Sequence, residues 1–146
     1  MKLISNIHKI LKNFEALGFV PLTLIRVYLF FVFWYAGTGK IDNSDKFSGY
    51  LGTLGVPLPD ILSWLVILTE AGGAALLLVG LFVRWVSVPL LIVMFFAGYL
   101  VHYQNGWAYE ANGIEFVAIY SLMFLTLLCF GGGKYLSLDY WVSSKK

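Results

Sequence analysis

Four apolar stretches dominate the sequence and limit the folds that it can adopt. They run roughly over residues 21–36, 61–82, 86–101 and 114–130. Each is about 16–22 residues long, and at a rise of about 1.5 Å per residue such a helix crosses most or all of a hydrocarbon core about 30 Å thick. The two shorter stretches reach that length once their flanking residues continue the helices into the headgroups. The sequence therefore predicts transmembrane spans of about residues 18–38, 61–82, 85–103 and 114–131.

The composition supports this interpretation. The chain is 60% hydrophobic and 12% charged, whereas a soluble domain carries about 25% charged residues to wet its surface. The excess apolar surface must face lipid. A length of 146 residues leaves room for a single membrane domain, 1–146, and none for a separate soluble module. We therefore expect an all-α membrane protein, built as a four-transmembrane-helix bundle.

The amino-terminal segment has a different pattern. Over residues 3–14 the apolar side chains fall within about a third of a helical wheel, and the lysines lie outside that arc. We expect residues 1–15 to form an interfacial amphipathic helix whose lysines face anionic headgroups. A cleaved signal peptide is the alternative, but the apolar run that follows is longer than the ~7–15 residues of such a signal.

The basic residues predict the orientation of the chain. Seven of them fall on one side of a four-span arrangement, namely Lys2, Lys9, Lys12, Arg84, Lys134, Lys145 and Lys146. Lys40 and Lys46 fall on the other side, together with four carboxylates. Because loops rich in lysine and arginine stay in the cytoplasm, we expect both termini to be cytoplasmic.

Glu70 is the first candidate ligand-binding residue, because it lies well inside the second span. A carboxylate in hydrocarbon must be paired, protonated or in contact with a wet cavity. Arg26 is the obvious partner if the first helix begins near Ala16, since the two side chains then lie at similar depths. If the helix begins at Pro21, Arg26 can instead snorkel to the cytoplasmic headgroups. A buried strut and a ligand site explain Glu70 about equally well.

Small residues follow Glu70 in the second span. Gly72, Gly73 and Gly80 are predicted to let helices approach closely, although small residues would equally leave a cavity beside the carboxylate. The spacing of Ala71 and Ala75 would permit a homo-oligomer.

A second group of polar side chains is predicted at the outer surface. It comprises Lys40, Tyr99, His102, Tyr103 and Glu115. Tyr99 and His102 are three residues apart and therefore share a helical face. The histidine can bind a headgroup or move a proton near neutral pH, although a lone interfacial histidine is more often a plain hydrogen-bonding residue.

Several chemistries are excluded. The single cysteine, Cys129, excludes an internal disulfide. His8 and His102 fall on opposite sides of the membrane, which argues against a bis-histidine haem. No cysteine and histidine spacing indicates a metal site, no nucleotide-binding or hydrolase motif is present, and a net charge of +2 is too small to indicate nucleic acid. No cofactor is evident from the residues.

These residues form a series of short motifs along the chain. The series is Arg26 with Gly37-Thr-Gly-Lys40, Phe47-x-x-Tyr50-Leu with Gly55-Val-Pro-Leu-Pro59, Glu70-x-Gly-Gly73 with Gly80 and Arg84, His102-x-x-Asn105-Gly-Trp107 with Glu115, and Gly131-Gly-Gly-Lys134-Tyr-Leu-Ser137-Leu-Asp139. In this order, over about residues 26–141, it resembles the DoxX family of small bacterial inner-membrane proteins.

The resemblance implies a multi-pass protein of the bacterial cytoplasmic (inner) membrane, but no single reaction. The family name traces to membrane subunits of a thiosulfate:quinone oxidoreductase, and other members are similar to partners of redox-protective or metal-stress proteins. Distant relatives are membrane chaperones or cargo receptors. We therefore expect an integral membrane accessory protein of a redox or stress-response pathway, with the bilayer and a membrane or periplasmic redox protein as partners.

Two forms of that role remain open. In the first, the chain is a quinone-interacting subunit in which Glu70 or His102 moves protons and Arg26 is a countercharge. Lys40, Tyr99 and His102 would be able to hydrogen-bond a quinone carbonyl. In the second, it is a non-enzymatic membrane chaperone or assembly partner. A small-solute transporter is a third and weaker alternative, because four spans leave a small lumen. Whether the chain is an enzyme is left open.

Overall fold

The computed structural model describes Lys12 and residues 14–144, and each regular element in that part of the chain is helical. The six α-helices are α1 (Phe19–Ile41), α2 (Ser44–Thr53), α3 (Pro59–Val79), α4 (Val83–Ala97), α5 (Glu115–Phe130) and α6 (Leu138–Ser143). A 3-10 turn at Phe14–Leu17 precedes α1, a π-helical segment at Gly98–His102 continues α4, and 3-10 turns at Tyr103–Asn105 and Tyr109–Ala111 lead to α5. The predicted amphipathic helix over residues 1–15 falls almost entirely outside the described residues.

Within residues 14–144, three helices are long and apolar enough to cross a membrane. They are Phe14–Ile41, Pro59–Val79 and Val83–Asn105, each counted with its adjoining 3-10 or π-helical turns. The fourth apolar helix, α5, has 16 residues and is shorter. Large apolar side chains cover the outer surface of all four helices, as lipid contact requires. The described part of the chain is therefore all-helical, and the chain is a multi-pass membrane protein.

The long helices pack antiparallel to one another. Arg26, near the start of α1, reaches Leu77, near the end of α3. Residues 80–82 alone connect α3 to α4, so these two helices form a hairpin. Gly98, just after α4, lies against Val117 in the first turn of α5. The four helices therefore run alternately up and down.

We call the two ends of the bundle the Arg84 end and the His102 end. The Arg84 end carries the start of α1, the end of α3, the start of α4 and the end of α5. The guanidinium of Arg84 packs beside Gly131, just past α5. The His102 end carries the other helix ends, together with α2 and the connection between α4 and α5.

The core lies between α1, α3, α4 and α5. Its fully buried side chains include Leu29, Leu77, Leu90, Phe124 and Leu127. The rings of Phe33 and Phe124 meet edge to face at a centroid distance of 5.0 Å, a geometry that favours aromatic pairs beyond their burial. This layer holds α1 and α5 together across the bundle.

Helix α2 lies in the polar connection between α1 and α3. It packs on the first half of α3, and Ser48 donates a hydrogen bond to the Asp60 carboxylate in the first turn of that helix. Burial of Ser48 against α3 explains why a polar, glycine-containing segment is helical here.

Candidate functional site

Glu70 forms an ion pair with Lys40. The Lys40 Nζ lies 2.5 Å from Glu70 Oε2, with the glutamate side chain 5% exposed and the lysine side chain 26% exposed. The ammonium also lies 5.3 Å from the centroid of the Phe47 ring, in the first half of α2. A carboxylate at this depth needs a cationic or hydrogen-bonding partner, and Lys40 supplies both.

A close approach of α1 and α3 makes this pair possible. A Cβ on Gly37 would lie 2.7 Å from the backbone nitrogen of Ala71, so only glycine fits there without moving a helix. Gly37 is one turn before Lys40 on the same face of α1, and Ala71 is next to Glu70. By contrast, a Cβ on Gly39 would meet no described atom within 4 Å. Gly37 therefore brings the two charges within reach of each other.

Arg26 does not pair with Glu70, contrary to the pairing considered from the sequence. Its Nη1 donates to the carbonyl oxygen of Leu77 at 3.2 Å, and its Nη2 donates to that of Leu136 at 2.5 Å. Helix α1 begins at Phe19, which puts Arg26 near the Arg84 end rather than level with Glu70. The snorkelling alternative does not hold either, because the residue is 1% exposed.

Residues 131–139, which we call the C-terminal latch, cover Arg26 and hold the turn between α3 and α4. Ser137 Oγ and the backbone N–H of Asp139 both donate to the carbonyl of Gly80, at 2.8 and 3.0 Å. The Asp139 carboxylate accepts hydrogen bonds from the backbone N–H groups of Phe82 and Val83, at 2.7 and 2.9 Å. It thereby caps the start of α4, where free N–H groups and the helix dipole favour an anion.

The three glycines predicted to pack helices have different surroundings. A Cβ on Gly80 would lie 1.9 Å from Arg26 Nη1, and one on Gly73 would lie 3.0 Å from a methyl carbon of Leu90 in α4. Gly72 faces open space, with no described atom within 4 Å of a Cβ at that position. Gly73 and Gly80 therefore lie at close contacts, and Gly72 does not.

His102 and Glu115 hold the connection between α4 and α5. His102 Nδ1 lies 2.8 Å from the carbonyl oxygen of Asn112, and Asn105 Nδ2 donates to the same oxygen at 3.1 Å. Because a carbonyl only accepts, the Nδ1 atom carries the proton in this contact. Glu115 Oε2 accepts a hydrogen bond from the Tyr109 backbone at 3.1 Å. Both candidates therefore have a structural contact in this loop.

Tyr99 lies apart from these contacts, in a crevice that we call the α4–α5 groove. The groove has a volume of about 430 Å³ and is lined by Leu91, Met94, Phe95, Gly98, Tyr99, Tyr103, Ile114, Val117, Ala118 and Ser121. Its α4 wall includes the π-helical segment Gly98–His102. Single π-helical turns in longer helices occur frequently at functional sites.

The structure thus divides the candidate residues among four places. Lys40 and Glu70 meet between α1 and α3, and Tyr99 lines the α4–α5 groove. His102 and Glu115 lie in the connection between α4 and α5, and Arg26 lies under the C-terminal latch. Within the described residues, no hydrogen bond or ion pair joins Lys40 or Glu70 to the tyrosine or histidine side chains. In the same part of the chain, no three His, Cys, Asp or Glu side chains cluster to form a metal site.

Ser137 and Asp139 were not singled out as site residues from the sequence. They lie in the last of the short motifs, but their hydrogen-bond partners are 56 to 59 residues away. A local sequence pattern cannot show that Asp139 caps the start of α4. The feature that the sequence offers is an aspartate a few residues after the glycine run 131–133.

Comparison with known proteins identifies the family. Two proteins of Haemophilus influenzae, each named only as an uncharacterized protein, are 29% identical to this chain. The alignments cover 82% of this chain and 82% of the first relative, and 77% of this chain and 84% of the second. No solved structure matches the chain. The model of the DoxX family matches residues 21–103, more than half of the sequence, and the chain therefore belongs to the DoxX family.

Proposed function

We propose that this DoxX protein is a membrane accessory subunit of a redox or stress-response pathway and binds a membrane quinone in the α4–α5 groove. The observation that carries the proposal is a crevice with a mostly apolar lining that includes two tyrosines, Tyr99 and Tyr103. Ligand sites are typically apolar with a few polar groups that orient the ligand.

The exposure of the groove suits a ligand that arrives through the bilayer. Phe95 and Tyr99 are 66% and 67% exposed and stack with an interplanar angle of 2°. A quinone ring entering from the lipid would contact Phe95, Leu91 and Val117, and the tyrosine hydroxyls would donate hydrogen bonds to its carbonyl oxygens. The quinone would supply the electron-accepting chemistry, and a partner protein would supply the electrons.

This proposal gives Glu70 a different role from the one considered from the sequence. Its carboxylate is bound to Lys40, and neither residue lines the α4–α5 groove. The pair is better suited to hold α1 on α3 than to contact the quinone. Tyr99 and Tyr103 are the residues proposed to bind it.

Filling the groove is expected to remove bound quinone. In Ala118→Phe, the new ring would occupy the space that the quinone takes, whereas Tyr99→Phe would remove one hydrogen bond and lower retention about fivefold. The measurement is mass spectrometry of organic extracts from protein purified in native-lipid nanodiscs, as quinone relative to bulk lipid.

The matched control for this experiment is Ala75→Phe, which adds the same ring to an exposed position of α3 away from the groove. It should retain quinone as the wild type does. Wild-type protein without quinone enrichment, or equal retention in Ala118→Phe, would contradict the proposal.

We also propose that four helices span the membrane, with both termini in the cytoplasm. Helix α5 is about 24 Å long and runs beside α4 from the His102 end to the Arg84 end. Arg84 and Lys134 lie at the Arg84 end, which the positive-inside rule assigns to the cytoplasm.

Reporter fusions test this topology. Green fluorescent protein fused after Lys146 should fluoresce, because it folds in the cytoplasm, and alkaline phosphatase at the same position should be inactive. Alkaline phosphatase fused after Gly106, at the His102 end, should be active. The reverse result at either position would contradict the four-span orientation.

A non-enzymatic chaperone or assembly partner is the second candidate function. The supporting observation is that Arg26, Lys40 and Glu70 all bind partners within the bundle. These charged groups hold the helices together, which is a structural role and not a chemical one. Under this alternative, a partner protein co-purifies after mild solubilisation and quinone does not. The groove variants would then leave partner capture unchanged.

A further inference from the structure

A second and larger groove lies at the Arg84 end of the bundle. Its volume is about 920 Å³, and it lies between the start of α1, the start of α4 and the C-terminal latch. Two cations, Arg84 and Lys134, line it together with the apolar rings of Phe82, Trp85 and Phe130. We call it the basic groove.

The carboxylates that line the basic groove leave its cations available to a ligand. Both oxygens of Asp139 accept backbone N–H groups of the α4 start, so this charge serves the helix cap. Glu15 is exposed in the 3-10 turn before α1. Over residues 14–144, Lys40 and Glu70 form the one ion pair. Arg84 and Lys134 therefore have no carboxylate partner in that part of the chain.

The glycine run of the C-terminal latch places Arg84 in the groove. Gly131 has a φ of +77°, a conformation that side chains disfavour, and a Cβ there would lie 3.3 Å from Arg84 Nε. The guanidinium therefore packs directly over the latch backbone. Lys134 follows three residues later in the same segment.

The apolar wall of the groove is continuous with the lipid-facing surface. Phe82, Trp85 and Phe130 are 56%, 79% and 71% exposed. Tryptophan rings such as that of Trp85 concentrate where acyl chains meet headgroups. Paired with two cations, the three rings match a molecule that has a negatively charged head and apolar tails.

We propose that the basic groove binds an anionic phospholipid, with its phosphate between Arg84 and Lys134 and its acyl chains against Phe82, Trp85 and Phe130. The site lies at the opposite end of the bundle from the α4–α5 groove and does not depend on quinone binding. A phospholipid and a free anion would present the same phosphate group to these cations, and the acyl tails distinguish the lipid from the free anion.

Native mass spectrometry of the full-length protein in detergent tests this proposal. Phosphatidylglycerol and phosphatidylcholine with identical acyl chains are added together, and the retained lipid adducts are compared. Wild type should retain phosphatidylglycerol preferentially. Arg84→Gln and Lys134→Gln should each lower that preference about fivefold, and Arg84→Lys should keep most of it.

Lys46→Gln is the matched control, because it removes one exposed lysine from α2 at the other end of the bundle. It should leave the lipid preference unchanged, and thermal unfolding should be similar for all variants. An unchanged preference in the Arg84→Gln/Lys134→Gln double variant would overturn the proposal, as would an equal loss in Lys46→Gln. Competition by glycerophosphoglycerol as strong as by the intact lipid would identify a free-anion site instead.

Discussion

Gly80→Ala is expected to destabilise the protein by about 3–5 kcal/mol, because the new methyl group collides with Arg26 and with the C-terminal latch. A Cβ at this position would lie 1.9 Å from Arg26 Nη1 and 2.9 Å from the Cα of Ser137. The residue also has a φ of +71°, which alanine adopts only with strain. Relief of the collision requires the guanidinium to move, and the carbonyls of Leu77 and Leu136 then lose their donor.

Thermal unfolding in detergent, followed by circular dichroism, measures this effect. Gly72→Ala is the matched control, because it makes the same change in α3 where no described atom lies within 4 Å of the new Cβ. That variant should be as stable as wild type or more stable by about 0.5–1 kcal/mol, since alanine favours a helix. If Gly80→Ala were as stable as Gly72→Ala, the packing of the latch and Arg26 would not require a glycine at position 80, and the prediction would be wrong.

Lys40→Met is expected to destabilise the protein by about 3 kcal/mol, more than removal of its partner does. The substitution leaves the Glu70 carboxylate, 5% exposed, without its cation. Glu70→Met leaves Lys40, which is 26% exposed and flexible enough to reach water or headgroups. We expect this second variant to lose only about 1 kcal/mol, and the double variant to approach wild-type stability, because two apolar side chains replace a partly desolvated pair.

The order of stabilities in this double-mutant cycle is the result to check. Lys40→Met should be the least stable of the four proteins, and adding Glu70→Met to it should restore stability. Lys46→Met, which removes an exposed lysine from α2, should have little effect. If the two single losses simply add in the double variant, the two charges do not stabilise each other.

The Lys40–Glu70 pair also affects how functional variants are interpreted. A Glu70 substitution that abolishes quinone binding could act by separating α1 from α3, since Gly37 and Ala71 pack directly beside the pair. Ala118→Phe and Tyr99→Phe change the α4–α5 groove without touching these contacts. Comparison of the two sets separates a ligand-binding role from a structural one.

The sequence by itself determined the class of protein and the positions of its apolar helices. Helix α3 covers Pro59–Val79, and α4 with its π-helical segment covers residues 83–102, in two of the regions where the apolar pattern predicts helices. Hydropathy and helix ends are local properties, so they can be read without knowledge of neighbouring helices. The DoxX resemblance likewise rested on short motifs in a fixed order and is confirmed by the family match.

Only the tertiary structure decided which charged residues meet. Glu70 pairs with Lys40 rather than Arg26 because α1 starts at Phe19 and is positioned along α3 by the contact between Gly37 and Ala71. A shift of one helical turn moves a side chain by about 5.4 Å along the axis, and hydropathy does not define helix position that finely. The C-terminal latch joins residues more than fifty positions apart. The cap that it supplies to α4 therefore depends on tertiary packing, and no local sequence pattern predicts it.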